Sequence, residues 1–235
     1  FVEPIAGSVG TIVPPKGYLN RLRAICDKYG ILLVLDEVIT GFRLAYGGAQ
    51  EYFGVQPDLA TYGKVLGGGL PIGAVGGRAD IMRLFNSMAT GDKKGIMSGG
   101  TFSGNPLTMA AGIAQTSFLY ENRGELYPRL NSMGRRLAET INDYAREMDM
   151  GVQVLNAGSM FQIYFNAGEI RSSRDIDGIR SQAETDFYLH LLDKGVLIPG
   201  TRRSFISHVH TIELIDEAAE IIKESLNLVR QDGLF

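Results

Sequence analysis

A short apolar segment constrains the fold more than any other part of this sequence. Residues 31–35 read Ile-Leu-Leu-Val-Leu, and they follow a stretch, 16–29, whose apolar residues repeat at helical spacing. Gly30 between the two is a typical helix stop. Such a continuous apolar run is typical of a strand buried on both faces of a parallel sheet. With an extended piece at 1–5, the order strand, helix, strand predicts an α/β fold with a right-handed crossover.

The two halves of the chain differ in pattern. The glycine-rich first half offers two more short strands, at 57–62 and 72–75, and a helix from about 105 to 122. The second half alternates amphipathic helices with short strands, and these are predicted at 126–148, 152–155, 161–165, 185–194, 196–198 and 212–230. We therefore predict that residues 1–118 are part of a large, mostly parallel-sheet domain and that 119–235 form a small α+β domain.

Composition excludes several classes of protein. The 235 residues carry a formal net charge of −3, which gives no basic footprint for nucleic acid. A single cysteine, Cys26, excludes an intramolecular disulfide framework and argues against a cysteine-based metal site. No apolar run approaches the length of a membrane helix. We expect a cytoplasmic protein with small-molecule partners, no membrane partner and no metal.

Two charged residues follow predicted strands. Asp36 ends the apolar strand, and Lys64 follows the strand at 57–62, in a loop with glycines on both sides. Open α/β sheets bind ligands at this edge, although Asp36 could simply cap a turn and Lys64 could be solvated. Lys64 precedes its glycine run, so the segment does not match a P-loop. Lysine and aspartate together suit pyridoxal phosphate, which needs an imine-forming amine and a carboxylate at its ring nitrogen.

Asp36 and Lys64 each lie within a longer motif. The sequence LDEVITGFR spans 35–43 and GKVLGGGLPIGA spans 63–74. Both resemble the signature of class III pyridoxal-phosphate aminotransferases. The segments AYGGAQ at 45–50 and YFGV at 52–55 resemble the glutamate-1-semialdehyde 2,1-aminomutase branch of that family.

The resemblance implies a fold-type I transferase that binds pyridoxal 5′-phosphate. Lys64 would form a Schiff base with it, Asp36 would pair with the ring nitrogen, and Val38 would pack on one ring face. Thr101, in GTFSGNP at 100–106, would bind the phosphate across a homodimer interface with shared active sites, or else belong to a helix N-cap region. Glu3 would lie near the ring oxygen.

Other positions depart from the family pattern. Ile39 stands where many class III enzymes have glutamine, whereas the aminomutase branch also has an apolar residue there. Ser8 stands where many amino-acid aminotransferases have a glutamate that pairs with a switchable arginine. Arg202 and Arg203 stand where an acidic stretch would be expected for an aminomutase. Either arginine could bind a substrate carboxylate, or both could face solvent.

The chain begins Phe-Val-Glu-Pro, and the resemblance implies that an N-terminal part of the family fold precedes this point. We expect amino-group transfer between an amino acid or amine and a carbonyl acceptor. The alternatives are intramolecular transfer by an aminomutase and a non-catalytic fragment that lacks half of the cofactor site.

Overall fold

The computed structural model describes residues 1–85, 99–176, 181–198 and 203–234. Contacts within the chain divide it into two compact units. The first unit contains Phe1–Pro4 and Pro15–Gly124, and the second contains Ile5–Pro14 and Glu125–Phe235. The assignment of 1–118 and 119–235 to a cofactor-binding domain and a small domain stays a prediction.

The first unit is built on a three-stranded sheet in the order β1-β2-β3, with strands Val34–Glu37, Leu59–Tyr62 and Ala74–Gly77. β1 and β2 run parallel, whereas β3 pairs with β2 in the antiparallel sense. The N-terminal residues extend along the free side of β1, where Val2 forms a parallel bridge with Leu35. The predicted strand–helix–strand order therefore brings two parallel segments side by side.

Among the described residues, four α-helices and two 3-10 turns complete this unit. The helices are α1 (Tyr18–Tyr29), α2 (Gly48–Phe53), α3 (Ala79–Met82) and α4 (Pro106–Glu121), and the 3-10 turns span Lys64–Gly67 and Arg83–Phe85. The side of α1 that faces the sheet buries Leu19 and Cys26 against Leu33 and Leu35. Burial of this apolar face holds the helix on the sheet.

The apolar segment at 31–35 is only partly a buried strand, which corrects the prediction. Ile31 and Leu32 are 53% and 48% exposed, and the ladder begins at Val34. The reason lies in the end of α1, where Gly30 adopts the left-handed conformation with φ 64°. The Ile31 N–H then donates to the Cys26 carbonyl at 2.9 Å, so this residue closes the helix instead of entering the sheet.

The second unit combines helices with an antiparallel sheet. The sheet has the order β4-β5-β6, with strands Gln153–Ala157, Met160–Tyr164 and Ser204–Phe205. The helices are α5 (Arg123–Glu147), α6 (Gln182–Asp193) and α7 (Ile212–Gln231). No helix in the described ranges has the length and apolar composition needed to cross a membrane.

The strand predicted at 196–198 is wrong. The Val196 N–H donates to the Leu191 carbonyl at 2.8 Å and so closes the end of α6, after Gly195 turns the chain with φ 85°. The third strand of this sheet is instead β6, where Phe205 pairs with Met160.

A short N-terminal segment belongs to the second unit. Ala6 and Ile12 form an antiparallel bridge, and Ile12 packs with Tyr164 and Ile170. The Tyr164 hydroxyl donates to the Gly10 carbonyl at 2.6 Å. Gly10 has φ 116°, and a side chain there would collide with the tyrosine ring, so glycine permits this contact.

Candidate active site

The carboxyl ends of β1 and β2 place Asp36 beside Thr61. The two residues are register partners, and the Thr61 hydroxyl donates to Asp36 Oδ1 at 3.0 Å. The Val38 N–H donates to the same oxygen at 3.1 Å. Oδ2 has no hydrogen-bond partner within the described residues, so the half-buried carboxylate is oriented on one oxygen and open on the other. Thr61 had no predicted role, and strand register is the signal that identifies it.

Lys64 follows the end of β2 and opens the 3-10 turn. Its φ of 43° lies in the left-handed region, which residues other than glycine rarely adopt. Its side chain is exposed, and within the described ranges it forms no ion pair or hydrogen bond. Strained backbone of this kind persists where the surroundings hold it, and such residues concentrate at functional sites.

Val38 joins the segment after β1 to the loop of Lys64. A Cβ atom built on Gly63 would lie 3.3 Å from Val38 Cγ1 and 3.3 Å from the Ile72 carbonyl oxygen. A side chain at Gly63 would crowd both neighbours. The structure therefore brings Asp36, Val38 and the Lys64 turn together at one edge of the sheet.

Helix α4 lies against the Lys64 turn through two glycines. A Cβ atom on Gly112 would lie 2.8 Å from the Leu66 carbonyl oxygen, and one on Gly68 would lie 2.6 Å from the Ala111 carbonyl oxygen. Real Cβ atoms do not approach a backbone oxygen so closely, so both positions need glycine for this packing. The turn is thus fixed by a helix as well as by the sheet.

Thr101 lies in an exposed turn shortly before α4. The cap of that helix is Asn105, whose Oδ1 accepts from the Leu107 and Thr108 N–H groups, each at 3.1 Å. The Thr101 hydroxyl makes no hydrogen bond within the described residues. Its assignment as a phosphate ligand stays a prediction, and the helix cap itself is provided by another residue.

The remaining predicted residues lie apart from this cluster in the chain. Glu3 is half-buried in the segment beside β1, where the Asp36 N–H donates to the Val2 carbonyl at 2.9 Å. Arg203 is half-buried in the second unit, 6.0 Å from the centroid of the Phe205 ring. Its Nε is buried and has no hydrogen-bond partner among the described residues. Arg202 lies outside the described residues.

Glu37 is a second carboxylate in this region, and no role was predicted for it from the sequence. It is fully buried, with 0% exposure, next to Asp36 in β1. Its oxygens accept hydrogen bonds from Thr40, from the N–H groups of Ala49 and Gln50, and from the Gln50 side chain. Burial and then the negative charge of Glu37 raise the pKa of its strand neighbour Tyr62. Four donors around one buried carboxylate form a complete shell.

Comparison with known proteins places this chain in a family. The model of the class-III aminotransferase family matches residues 1–228. Glutamate-1-semialdehyde 2,1-aminomutases from Methanocaldococcus jannaschii and Alkaliphilus oremlandii are 42% and 39% identical to this chain. The matches cover 95% and 98% of this chain, but 51% and 52% of those proteins.

Solved structures agree on the fold. An omega-transaminase from Sphaerobacter thermophilus is 31% identical with a TM-score of 0.86, over 97% of this chain and 51% of its own. A β-phenylalanine aminotransferase from Variovorax paradoxus is 33% identical with a TM-score of 0.85, over 96% and 51%. The chain spans about half the length of the relatives it matches. It has the α/β fold of these enzymes and belongs to the class-III aminotransferase family.

Proposed function

We propose that this chain carries the lysine and aspartate of a pyridoxal-phosphate site and serves amino-group transfer between an amino acid or amine and a carbonyl acceptor. One observation carries the proposal. Lys64 presents an amine without a partner among the described residues, from a strained turn beside Asp36. Membership of the chain in the class-III aminotransferase family supports the same proposal.

The residues present fit this cofactor. Asp36 keeps Oδ2 open while Thr61 and the Val38 N–H hold Oδ1, which suits a carboxylate that must accept from a protonated ring nitrogen. Val38, beside Gly63, offers an apolar surface for a ring face. We further propose that Thr101 binds the cofactor phosphate and that Glu3 lies near the ring oxygen.

When bound, pyridoxal phosphate withdraws electrons from the substrate carbon that loses a proton. The amine of Lys64 would hold the cofactor at its aldehyde carbon and, once freed by the amino substrate, would take up that proton and release it again. Asp36 keeps the ring nitrogen protonated. Thr61 orients Asp36 through its hydroxyl, so the carboxylate needs no reorganisation when the cofactor arrives.

Substrate recognition is assigned to the arginines of the second unit. The buried Nε of Arg203, which lacks a partner among the described residues, supports a role in binding a substrate carboxylate. Arg202 is the other candidate. We also propose a homodimer with shared active sites, because the exposed Thr101 could then reach the phosphate bound by a second copy. We propose a cytoplasmic location as well.

A second candidate function is intramolecular amino transfer. Its support is the identity of about 40% to glutamate-1-semialdehyde 2,1-aminomutases, for example 42% to that of Methanocaldococcus jannaschii. Isomerisation of glutamate-1-semialdehyde without an added acceptor favours this function, and turnover only with a separate donor and acceptor favours aminotransfer. A chain that binds the cofactor but catalyses neither the isomerisation nor the aminotransfer would be the non-catalytic fragment.

Borohydride labelling tests the central assignment. The Lys64 amine attacks the cofactor aldehyde, water leaves, and hydride from borohydride converts the C=N bond to a stable C–N bond. We expect the added mass on the peptide that contains Lys64, and no label at that position in Lys64→Ala. Lys16→Ala, which removes another exposed lysine, serves as the control and should label like the parent. Label on a different lysine of the parent would overturn the assignment.

A further inference from the structure

We propose that Glu37 is a positioning residue, which sets the distance between the Asp36 carboxylate and the Lys64 amine through Gln50 and Tyr62. The inference rests on the proposed function, because it concerns the same two groups. Glu37 follows Asp36 in β1, and Tyr62 ends β2 two residues before Lys64. A link between Glu37 and Tyr62 therefore joins the ends of the strands that carry the two groups.

The link consists of two hydrogen bonds made by one side chain. Gln50 Nε2 donates to Glu37 Oε1 at 3.0 Å and to the Tyr62 hydroxyl at 2.8 Å. Glu37 and Tyr62 are also register partners across β1 and β2. The amide of Gln50 thus clamps the two strand ends beyond the ladder itself. Bonds of this kind in a buried network reinforce one another.

The other contacts of Glu37 anchor the clamp to α2. Glu37 Oε2 accepts from the Ala49 N–H at 2.5 Å and from the Thr40 hydroxyl at 3.0 Å, and Oε1 accepts from the Gln50 N–H at 3.2 Å. None of the ion pairs among the described residues involves Glu37. A buried carboxylate that is stabilised by hydrogen bonds alone depends on all of them, so the shell resists any displacement of one member.

The backbone around Glu37 is built to admit its carboxylate. Gly48 has φ 72°, and a Cβ atom on it would overlap Glu37 Oε2. A Cβ atom on Gly41 would lie 2.7 Å from the Glu37 carbonyl oxygen and 2.8 Å from the Tyr62 ring. Both glycines let neighbouring turns close over Glu37 and Tyr62. This closure explains a part of the glycine-rich sequence that does not touch Asp36 or Lys64.

The consequence for the site is geometric. Asp36 and Lys64 approach a planar cofactor at different atoms, so both must be held at a fixed separation before it binds. Thr61 already links the two strands one register position earlier, where it orients Asp36, and α4 supports the Lys64 turn. The Glu37–Gln50–Tyr62 clamp adds a link at the last register pair of the two strands, and it acts without touching the cofactor.

Three variants test this proposal. Glu37→Gln keeps the shape but replaces one acceptor oxygen with an NH2 group that would face the surrounding donors. Tyr62→Phe removes only the hydroxyl that Gln50 contacts. Glu51→Gln is the matched control, because Glu51 lies in α2 next to Gln50 but is exposed. Its side chain accepts the Gly47 N–H at 2.6 Å and makes no hydrogen bond to β1. Tyr62→Phe keeps the test valid if Glu37→Gln does not fold.

Two measurements are made on each folded variant. The first is hydrogen–deuterium exchange of cofactor-free protein over peptides that contain residues 62–67. The second is titration with pyridoxal phosphate, which gives the affinity and the pH midpoint of the visible band of the adduct. A loss of fold alone lowers the amount of loaded protein but leaves that midpoint unchanged.

We expect Glu37→Gln and Tyr62→Phe to raise exchange at residues 62–67, to shift the pH midpoint and to weaken cofactor affinity. The loss should be about tenfold for a bond worth about 1.4 kcal/mol. Glu51→Gln should match the parent. Unchanged exchange, affinity and midpoint in the two clamp variants would overturn the proposal, as would equal effects from Glu51→Gln. If the parent forms no adduct on Lys64, the proposed function fails, and the exchange data alone still decide whether Glu37 positions the turn.

Discussion

Replacing Asp58 with asparagine tests how the first unit is held together. Asp58 directly precedes β2, and its side chain is 8% exposed. Oδ2 accepts from Arg23 Nη1 and from the Leu33 N–H, both at 2.7 Å, and Oδ1 accepts from Arg78 Nη1 at 2.8 Å. One carboxylate thus joins α1, the residue before β1 and the residue after β3. An asparagine amide would turn an N–H group toward at least one of these donors.

The size of the effect follows from the pKa of this carboxyl. Burial by itself would raise the pKa, but the hydrogen bonds from Arg78, the Leu33 N–H and Arg23 outweigh it and lower the pKa from 3.8 to about 2. Such a shift corresponds to about 2.5 kcal/mol of folding free energy. The contribution is present above the unfolded pKa and is lost as pH falls toward the folded pKa. About 1 kcal/mol of it should be gone near pH 3.

Urea unfolding measures this contribution directly. Hydrogen–deuterium exchange of peptides from β1 and β2, measured in increasing urea, reports on unfolding of the first unit. The parent and Asp58→Asn are compared from about pH 7 to about pH 3. We expect the variant to be less stable by at least about 2 kcal/mol near pH 7 and the difference to shrink at low pH. Asp80→Asn is the control, because Asp80 also pairs with Arg78 but is exposed, and it should change stability little. A difference that does not depend on pH would refute the reasoning.

Two further predictions concern other parts of the fold. Burial raises the pKa of Tyr164 to about 12, so the folded state keeps a proton that the unfolded state loses, and stability should fall by up to about 2–3 kcal/mol between about pH 10 and 12. Urea unfolding over this range should show the fall in the parent and its absence in Tyr164→Phe; an equal fall in both contradicts the assignment. Gly112→Ala would place a Cβ atom 2.8 Å from the Leu66 carbonyl, so we expect less borohydride label on Lys64 even though alanine favours a helix by about 1 kcal/mol. Gly124→Ala, where the added atom meets nothing within 4 Å, should label like the parent, and normal labelling of Gly112→Ala would contradict the packing argument.

The positions of Asp36 and Lys64 near the carboxyl ends of two neighbouring strands could be predicted from the sequence, whereas their roles stay predictions. An apolar run and a glycine-flanked lysine are local signals, and a parallel sheet brings the carboxyl ends of its strands to one edge. The structure confirms that β1 and β2 are parallel neighbours. The class-III aminotransferase family was likewise recognisable from motifs that surround these two residues.

Contacts that depend on register could not be predicted in this way. Thr61 reaches Asp36 only because the two strands align residue for residue, and Gln50 reaches Tyr62 only because α2 turns back toward β1. No single-residue property distinguishes them from other polar residues. Hydrophobicity also overestimated the strand at Ile31, where the N–H group was already committed to the end of α1.

The path of the chain between the two units has a consequence for how either unit can be isolated. The chain leaves the first unit after Pro4, returns at Pro15 and leaves it again after Gly124. No single cleavage can therefore release either unit whole. A piece that starts at Glu125 would lack the segment of residues 5–14, and the Tyr164 hydroxyl would lose its carbonyl acceptor in that segment. The two units are connected three times by covalent backbone, so each restricts the unfolded ensemble of the other.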